Sequence, residues 1–326
     1  MIKGADLSSK TKKGFTAFHM CAKYGHGQLV RYLAEAGAQI NELALGGLTA
    51  LHIAAHYGHV DVVKDLVEVG IDISLQALKT GHDALHVASR LGNEEIVRFL
   101  LDSGAKPDSV IKHGFTSAHL AAFGGHAKVL QVLLDANADL EFTAKNGLSP
   151  IHLAGQIGSL KCVKFFLETG CSLGLTKSGC SVLHLVAHYG HEPLVDELLR
   201  HANDEELNRK NDADFTPLHH AAQGGHLTVY KLLVEAGARQ NIISCSGLRP
   251  IDIAKRLGYV SIVAEFDIED EIIFGEEGEN TISAETGNDN EQWSATSSKM
   301  IIPESLQESF QNELKQLSDD EVLLLK

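Results

Sequence analysis

Three histidines stand close together in the stretch LTALHIAAHYGH, which runs from Leu48 to His59. His52 and His56 are four residues apart, so on a helix their side chains would lie one turn apart on the same face. Histidines in such an arrangement can bind a metal ion or transfer a proton. However, Ile53 rather than glutamate follows His52, so the HExxH arrangement of zinc proteases is absent. The elements that hold these side chains decide between a chemical and a structural role.

The first histidine of this stretch recurs along the chain. Related stretches begin at Phe15 (FTAFHMCAKYGH), at Phe115 (FTSAHLAAFGGH) and at Phe215 (FTPLHHAAQGGH). The spacings between successive members are 33, 34, 33, 33, 32 and 35 residues, and Asp252 takes the eighth place 33 residues further on. The members of the series are His19, His52, His86, His119, His152, His184 and His219. A catalytic histidine would not be needed once in every repeat, so we interpret the series as part of a repeated structural unit.

Each repeat predicts two short helices. Thr49 occupies the position of a helix N-cap, where a hydroxyl accepts a backbone N–H, and Gly58 ends the first helix. The second helix carries apolar residues at helical spacing, as at Val62, Val63 and Leu66. One such unit cannot bury its own apolar face, whereas stacked units share a continuous core.

The period of about 33 residues and the stretch TPLHHA from Thr216 resemble the signature of ankyrin repeats. The resemblance implies an all-α solenoid of about eight repeats, each with a helix–turn–helix and a β-hairpin-like loop. We place this domain at residues 1–266, with the first repeat near 13–41 and the last near 242–266. The resemblance also implies that the recurring histidine hydrogen-bonds neighbouring backbone and does no chemistry.

Two further stretches are similar to the C-terminal part of the repeat array of the ankyrins, the membrane-skeleton adaptors. LRPIDIAKRLGYVSIV resembles their last repeat, and KMIIPESLQESFQNELKQLSDDEV resembles the start of the linker that follows it. This resemblance implies a scaffold whose concave groove binds extended segments of other proteins, such as cytoplasmic tails of membrane proteins. The spectrin-binding domain of ankyrins has no counterpart here, so spectrin binding is in doubt. Whether the chain is a truncated ankyrin stays open.

The net charge of −15 is concentrated at the C-terminal end. Residues 267–326 contain 16 acidic and 3 basic residues, which leaves 27 acidic and 25 basic residues before them. We predict that this tail is largely disordered, with a short helix at 303–321 and an acidic-directed phosphorylation site at Ser318. Such a tail speaks against nucleic acid as a partner.

The composition of the sequence limits the cellular compartment and the kinds of chemistry that we expect of the protein. The sequence has no apolar run of the length of about 18 residues that crosses a bilayer, and its five cysteines form no CxxC pair. We therefore expect a cytoplasmic protein, peripheral at the plasma membrane or cytoskeleton, without direct membrane insertion. No phosphate loop, nucleophile elbow or zinc signature is present, so we predict no enzyme activity, no cofactor and no metal site. The alternative function is a soluble regulatory inhibitor of a cytosolic or nuclear partner.

The resemblance implies two sets of partner-binding positions, the loop tips ("fingers") and the ends of the first helices ("palm"). The finger candidates are Lys12, Lys13, Phe15, Leu48, Lys79, His82, Lys112, Phe115, Lys145, Leu148, Lys177 and Phe215. The palm candidates are Lys23, Tyr24, His56, Tyr57, Arg90, Phe123, Ile157, His188, Tyr189 and Arg256. Lysines beside exposed aromatic residues favour extended partner segments that are acidic or apolar.

Overall fold

A computed structural model describes residues 6–266, which form 17 α-helices and no β-strand. The first helices of eight helix–turn–helix pairs are α1 (Ala17–Tyr24), α3 (Ala50–Tyr57), α5 (Ala84–Leu91), α7 (Ser117–Gly124), α9 (Pro150–Gln156), α11 (Val182–Tyr189), α14 (Pro217–Gly224) and α16 (Pro250–Leu257). Their second helices are α2 (Gly27–Glu35), α4 (Val60–Glu68), α6 (Glu94–Asp102), α8 (Ala127–Asp135), α10 (Leu160–Glu168), α12 (Glu192–Leu199), α15 (Leu227–Glu235) and α17 (Val260–Phe266). A single turn, α13 (Asp204–Leu207), lies between the sixth and seventh pairs.

The prediction of an all-α solenoid of about eight repeats is confirmed by this arrangement. The predicted tail helix at 303–321 and the predicted phosphorylation site Ser318 lie outside the described residues.

The first helices begin and end as the repeated residues dictate. Thr49 has extended backbone, and its hydroxyl accepts a hydrogen bond from the backbone N–H of His52 at 3.4 Å. Gly58 then adopts the left-handed conformation with φ 75°, which a residue without a side chain enters at no steric cost. The apolar positions between these two ends face the core of the solenoid.

The core runs the length of the described array. First helices pack against first helices of the next repeat, and second helices pack against second helices. Ala54 and Ala55 are fully buried, so small side chains set the distance at which first helices meet. The apolar stripe of the second helix is equally buried, as at Leu66 and Leu133. Each repeat therefore depends on its neighbours for burial, as in other solenoids.

The fingers form a continuous row through backbone hydrogen bonds. Each finger is closed by a backbone bond such as that from Ala144 N to Leu148 O at 2.8 Å. Successive fingers are joined as well, since Lys145 N donates to His113 O at 3.0 Å and Lys177 N donates to Asn146 O at 3.2 Å. These bonds hold the fingertips in register along one side of the array.

Two departures from the regular period are absorbed locally. The insertion after the sixth pair forms α13, whose cap residue Asn203 accepts a hydrogen bond from Glu206 N at 2.9 Å. The following finger keeps its shape because Asp214 takes the left-handed conformation with φ 57° where other fingers have glycine. The extra residue of the third repeat lies in the finger itself, which closes between Ala77 N and His82 O, one residue wider than the others.

Candidate functional site

The recurring histidine joins its own repeat to the next one. In six of its seven positions Nε2 lies 2.8 to 3.2 Å from a backbone carbonyl of the following repeat. The accepting carbonyls belong to Leu48, His82, Ser109, Leu148, Phe215 and Leu248. Each such bond contributes about 0.5–1.5 kcal/mol, so the role of the series is to connect repeats.

The hydrogen bond made by Nδ1 determines which ring nitrogen carries the proton. At His119 the backbone N–H of Thr116 donates to Nδ1 at 3.2 Å, so Nδ1 is an acceptor and the ring proton is on Nε2. Burial lowers the pKa of His119 to about 4, an effect that the Leu148 carbonyl only partly opposes. Burial likewise lowers the pKa of His152, His184 and His219 to about 4. These rings are neutral at neutral pH, which suits a structural connector and not a proton carrier.

Two members of the series differ from this pattern. The cap of the third repeat is Asp83, whose carboxylate lies 2.8 Å from Nδ1 of His86. Burial raises the pKa of Asp83, but its hydrogen bonds and charge interaction with His86 outweigh this and bring the pKa to about 2. His152 is fully buried, and its Nε2 makes no hydrogen bond of normal geometry with a described residue, although the Cys180 carbonyl of the sixth repeat still opposes the lowering of its pKa. The joint after the fifth repeat therefore has a weaker contact in place of the bond that the other histidines supply.

A second connecting series, which the sequence analysis missed, begins the second helices. Nε2 of the histidine at this position lies 2.8 to 3.1 Å from a carbonyl of the preceding repeat. Its members are His59, His126, His191 and His226, with Asn93 and Tyr259 bonding in the same way. The dipeptide GH, which follows five of the eight first helices, was the available signal in the sequence. Ser159 takes this position in the fifth repeat and makes no such bond to a carbonyl of the fourth.

The glycine before this second series has a steric reason besides its backbone conformation. A Cβ placed on Gly92 would lie 2.5 Å from the ring of His126, and one on Gly190 would lie 2.5 Å from the ring of His226. Because these glycines have no side chain, the imidazole of the next repeat can occupy the space beside them.

His56, which opened the question of chemistry, belongs to neither series. Its half-buried ring meets the ring of Tyr57 edge to face, with centroids 5.1 Å apart. Burial and the nearby Arg90 charge lower the pKa of His56. No group of three or more potential metal ligands occurs between residues 6 and 266. The one-turn spacing of His52 and His56 thus places one ring in a joint and the other at the palm.

One buried cluster resembles catalytic machinery in composition. Asn211 Nδ2 donates to Cys180 Sγ at 3.2 Å, and His220 Nε2 lies 4.0 Å from the same sulfur. Cys180 is 0% exposed, and burial raises the pKa of its thiol. A neutral thiol without access to solvent cannot act as a nucleophile, so we interpret this cluster as packing.

The lysines of the fingers lie on the surface in one row. Lys79, Lys112, Lys145 and Lys177 occupy the tips of four successive fingers, are exposed, and make no ion pair with another described residue. Lys12 is also exposed, and Lys13 is half-buried. Because the fingers are bonded to one another in register, these ammonium groups form a positive ridge.

Six candidate lining residues are not at the surface. Their exposed fractions are 8% or less, and they are Phe15, Lys23, His82, Phe115, Leu148 and Phe215. The residue just before the cap turns inward at the base of the finger, where it meets the ring of the connecting histidine. Phe115 and His119, for example, have ring centroids 5.3 Å apart. Lys23 lies at the end of α1, with its ammonium 5.6 Å from the ring centroid of Tyr24. The interpretation of these six as exposed lining residues is wrong.

The palm presents one large apolar side chain in each of the first six repeats. Tyr24 is 47% exposed and Leu91 is 37% exposed. The others, Tyr57, Phe123, Ile157 and Tyr189, are half-buried with one side toward solvent. The guanidinium of Arg90 lies 6.0 Å from the ring centroid of Phe123.

The hydroxyl of Tyr189 is held in place within this floor. It accepts a hydrogen bond from Gln156 Nε2 at 2.9 Å, and burial raises its pKa. The adjacent His188 is half-buried, and burial followed by the charge of His226 lowers its pKa.

Repeats three to six combine both features without a break, whereas repeat one, with Lys12 and Tyr24, is separated from them by Leu45 at the fingertip of repeat two. We call this surface the central groove and define it by its fingertips, Lys79, Lys112, Lys145 and Lys177, and by its floor, Leu91, Phe123, Ile157 and Tyr189. The seventh repeat has Asp212 at the fingertip and Gln223 and Gly224 at the palm. In the eighth, Arg256 and Leu257 are exposed at the palm, but Cys245 occupies the fingertip.

Comparison with protein families supports the repeat assignment. The family model for ankyrin repeats (three copies) matches residues 1–77, 47–111, 75–144, 118–211 and 183–266. The ankyrin repeat domain of Bcl-3, described as a unique member of the IkappaB protein family, is a similar solved structure. It has a TM-score of 0.56 and 28% identity, and the match covers 67% of this chain and 99% of that one.

Curated relatives match over short stretches. The chain is 35% identical over 83 residues to the ADP-ribosylation factor GTPase-activating protein AGD4 of Arabidopsis thaliana, which is 26% of this chain and 10% of that protein. It is 37% identical over 75 residues to Alpha-latrotoxin-Lh1a of Latrodectus hasselti, which is 23% of this chain and 5% of the toxin. The matched part is thus a tenth or less of these relatives. Within residues 6–266 no helix is long and apolar enough to cross a membrane.

Proposed function

The chain belongs to the ankyrin-repeat family, and from this premise we propose that it is a non-catalytic scaffold whose central groove binds extended segments of other proteins. Ankyrin repeats are protein-binding modules, and the similarity to the GTPase-activating protein AGD4 covers only 83 residues. Fold alone does not choose a partner, so the proposal rests on the surface that this sequence places on the fold.

The observation that carries the proposal is the coincidence of charge and apolar surface on the same four repeats. The exposed fingertip lysines attract acidic groups, while the palm offers Leu91, Phe123, Ile157 and Tyr189 for apolar side chains. Interfaces are enriched in aromatic residues with charged groups at the rim. Ion pairs at such a rim raise the association rate and select the sign of the partner's charge.

The finer part of the proposal concerns who supplies these segments. The similarity of LRPIDIAKRLGYVSIV to the last repeat of the membrane-skeleton ankyrins supports cytoplasmic tails of membrane proteins as partners. The chain would then be located in the cytoplasm, at the inner face of the plasma membrane or at the cytoskeleton, without entering the bilayer.

A charge-reversal pair tests the groove. Lys112→Glu with Lys145→Glu replaces two neighbouring fingertip charges, and we expect at least about tenfold weaker capture of proteins from a detergent extract of membranes at low salt. Lys128→Glu with Lys161→Glu is the matched control, because it makes the same charge change on exposed positions of the second helices of the same two repeats. Equal loss of capture in both variants would show that net charge acts and the groove does not.

A second candidate function is a soluble regulator that covers a cytosolic or nuclear partner. The similarity to the ankyrin repeat domain of Bcl-3, a member of the IkappaB family by its description, favours it. Fractionation separates the two: a scaffold for membrane-protein tails sediments with membranes and is released by detergent, whereas a regulator of this kind stays in the supernatant.

A further inference from the structure

The central groove presents its chemistry at a fixed interval. Its first helices pack side by side, and packed helices have axes about 8–10 Å apart. The fingertips follow the same interval, because Lys112, Lys145 and Lys177 are each bonded through backbone N–H to the preceding finger. A segment lying along the groove therefore meets one lysine and one apolar floor residue about every 8–10 Å.

This interval selects among extended conformations. In a β-strand side chains on the same face recur every two residues, or about 6.7 Å, which drifts out of register within two repeats. A polyproline II helix has three residues per turn and rises about 3.1 Å per residue, so one face recurs every 9.3 Å or so. Of the two periods, only that of polyproline II lies within the interval of about 8–10 Å, so this conformation keeps its side chains closer to the floor residues across four repeats.

Resting on the function proposed above, we infer that the central groove recognises a polyproline II segment of about twelve residues in an external protein, with an apolar residue at every third position and acidic residues between them. In each turn the apolar side chain lies on the floor, an acidic side chain faces a fingertip lysine, and the third position faces solvent. Proline is favoured at the third position because it fixes the required φ and donates no hydrogen bond there.

The acidic tail of this chain does not have the required pattern. Its apolar residues Leu306, Phe310, Leu314 and Leu317 are spaced by four, four and three residues, which is the spacing of a helix face. The tail matches the groove in charge but not in period, so the occupant is an external segment.

Synthetic peptides test the period directly. The probe has four Leu-Glu-Pro units and a fluorophore, and its binding to the full chain is measured by anisotropy at low and high salt. The matched control has the same composition with the leucines, glutamates and prolines in three blocks. We expect the periodic peptide to bind at least about tenfold tighter, and to weaken as salt screens the lysines. Equal affinity of the two peptides, or no binding of the periodic peptide at millimolar concentration, overturns the inference.

A length series sharpens the result. Affinity should rise most steeply as units are added from one to four, because beyond them the seventh repeat offers neither a lysine nor an apolar floor residue and the second repeat has Leu45 in place of the fingertip lysine. No rise in affinity between one and four units would show that the peptide does not lie along the four repeats and would overturn the inference.

Two further arms separate this inference from the proposed function. Binding of the periodic peptide should be lost in Lys112→Glu with Lys145→Glu and kept in Lys128→Glu with Lys161→Glu. If the first variant loses capture of membrane-extract proteins but the blocked peptide binds as well as the periodic one, the groove is the site and only the period is wrong. If removal of residues 267–326 is needed before any peptide binds, the tail is the occupant and the inference of an external segment fails.

Discussion

The central groove and the seventh repeat share one architecture but present different surfaces. In the fourth repeat, within the groove, and in the seventh, a threonine caps the first helix and a histidine bonds the next finger, as His119 bonds Leu148 and His219 bonds Leu248. The surfaces differ at the positions that no neighbouring repeat covers: Lys112 and Phe123 in the fourth repeat correspond to Asp212 and Gln223 in the seventh. The contrast separates residues that build a repeat from residues that give it a partner.

The largest expected effect concerns what the two regions have in common. Four connecting histidines, His119, His152, His184 and His219, have pKa values lowered by burial to about 4. Because the unfolded chain takes up these protons near pH 6.5 and the folded chain does not, stability is kept above pH 6.5 and lost as pH falls toward 4. Each of these histidines then contributes a slope of about 1.4 kcal/mol per pH unit.

Denaturant titrations between pH 7 and 4.5 measure this slope. Asp83, whose pKa is about 2, titrates below this window and does not confuse it. His119→Gln is the matched variant, and its stability should fall less steeply with pH than that of the parent. A flat profile in the parent would mean that these rings are not held neutral.

The second prediction separates two phenylalanines within the fourth repeat. Phe115 is 3% exposed beside His119, so Phe115→Ala should cost about 3–5 kcal/mol of stability through the cavity it leaves. Phe123→Ala, at the palm, should stay within about 1 kcal/mol of the parent and still weaken partner capture. Thermal unfolding and capture from membrane extract, measured on both variants, give the result. A Phe115→Ala variant as stable as the parent would show that the Phe115 ring is not buried and lies at the groove surface.

The smallest expected effect is that of a substitution that extends the lysine row of the groove. Asp212→Lys continues the lysine row by one fingertip, on a side chain that is exposed. We expect a few-fold tighter binding of an acidic segment at low salt and no change at high salt, as rim charges usually behave. The same substitution at Asp139, exposed in the loop before the finger of repeat five, is the control. Equal gains at both sites would point to net charge alone.

The helices and their stacking could be predicted from the sequence because each of the features that produce them is local and repeated. A cap, a glycine and an apolar stripe at constant spacing predict the helices and their stacking without knowledge of distant contacts. The structural role of His52 could be predicted from the same repeated spacing. The direction of Phe15 and Phe115 could not be predicted in this way. Both are apolar residues in a loop, and they are held inward against a histidine ring at the point where a backbone bond closes the finger, from Thr11 N to Phe15 O and from Ile111 N to Phe115 O.

The same limit applies to the second connecting series and to the third repeat. His126 contacts Arg90 O across 36 residues, and a single sequence does not pair such distant positions. The 34-residue spacing between His52 and His86 reveals one extra residue, but the finger that holds it, closed between Ala77 and His82, is known only from the backbone bonds. The lysine row itself was readable from the sequence, because fingertip positions keep their offset from the cap.

The unequal joints give the array an uneven stiffness. Most neighbouring repeats are tied at both ends of the first helix, by one member of each connecting series. The two joints beside the fifth repeat are weaker, because Ser159 makes no bond to a carbonyl of the fourth repeat and His152 makes only a weaker contact with the Cys180 carbonyl of the sixth. Joints in series bend where they are weakest, so flexing concentrates at the fifth repeat, in the middle of the central groove. Hydrogen exchange should therefore be fastest, among the inner first helices, in α9, and an occupant that spans this hinge would stiffen the whole array.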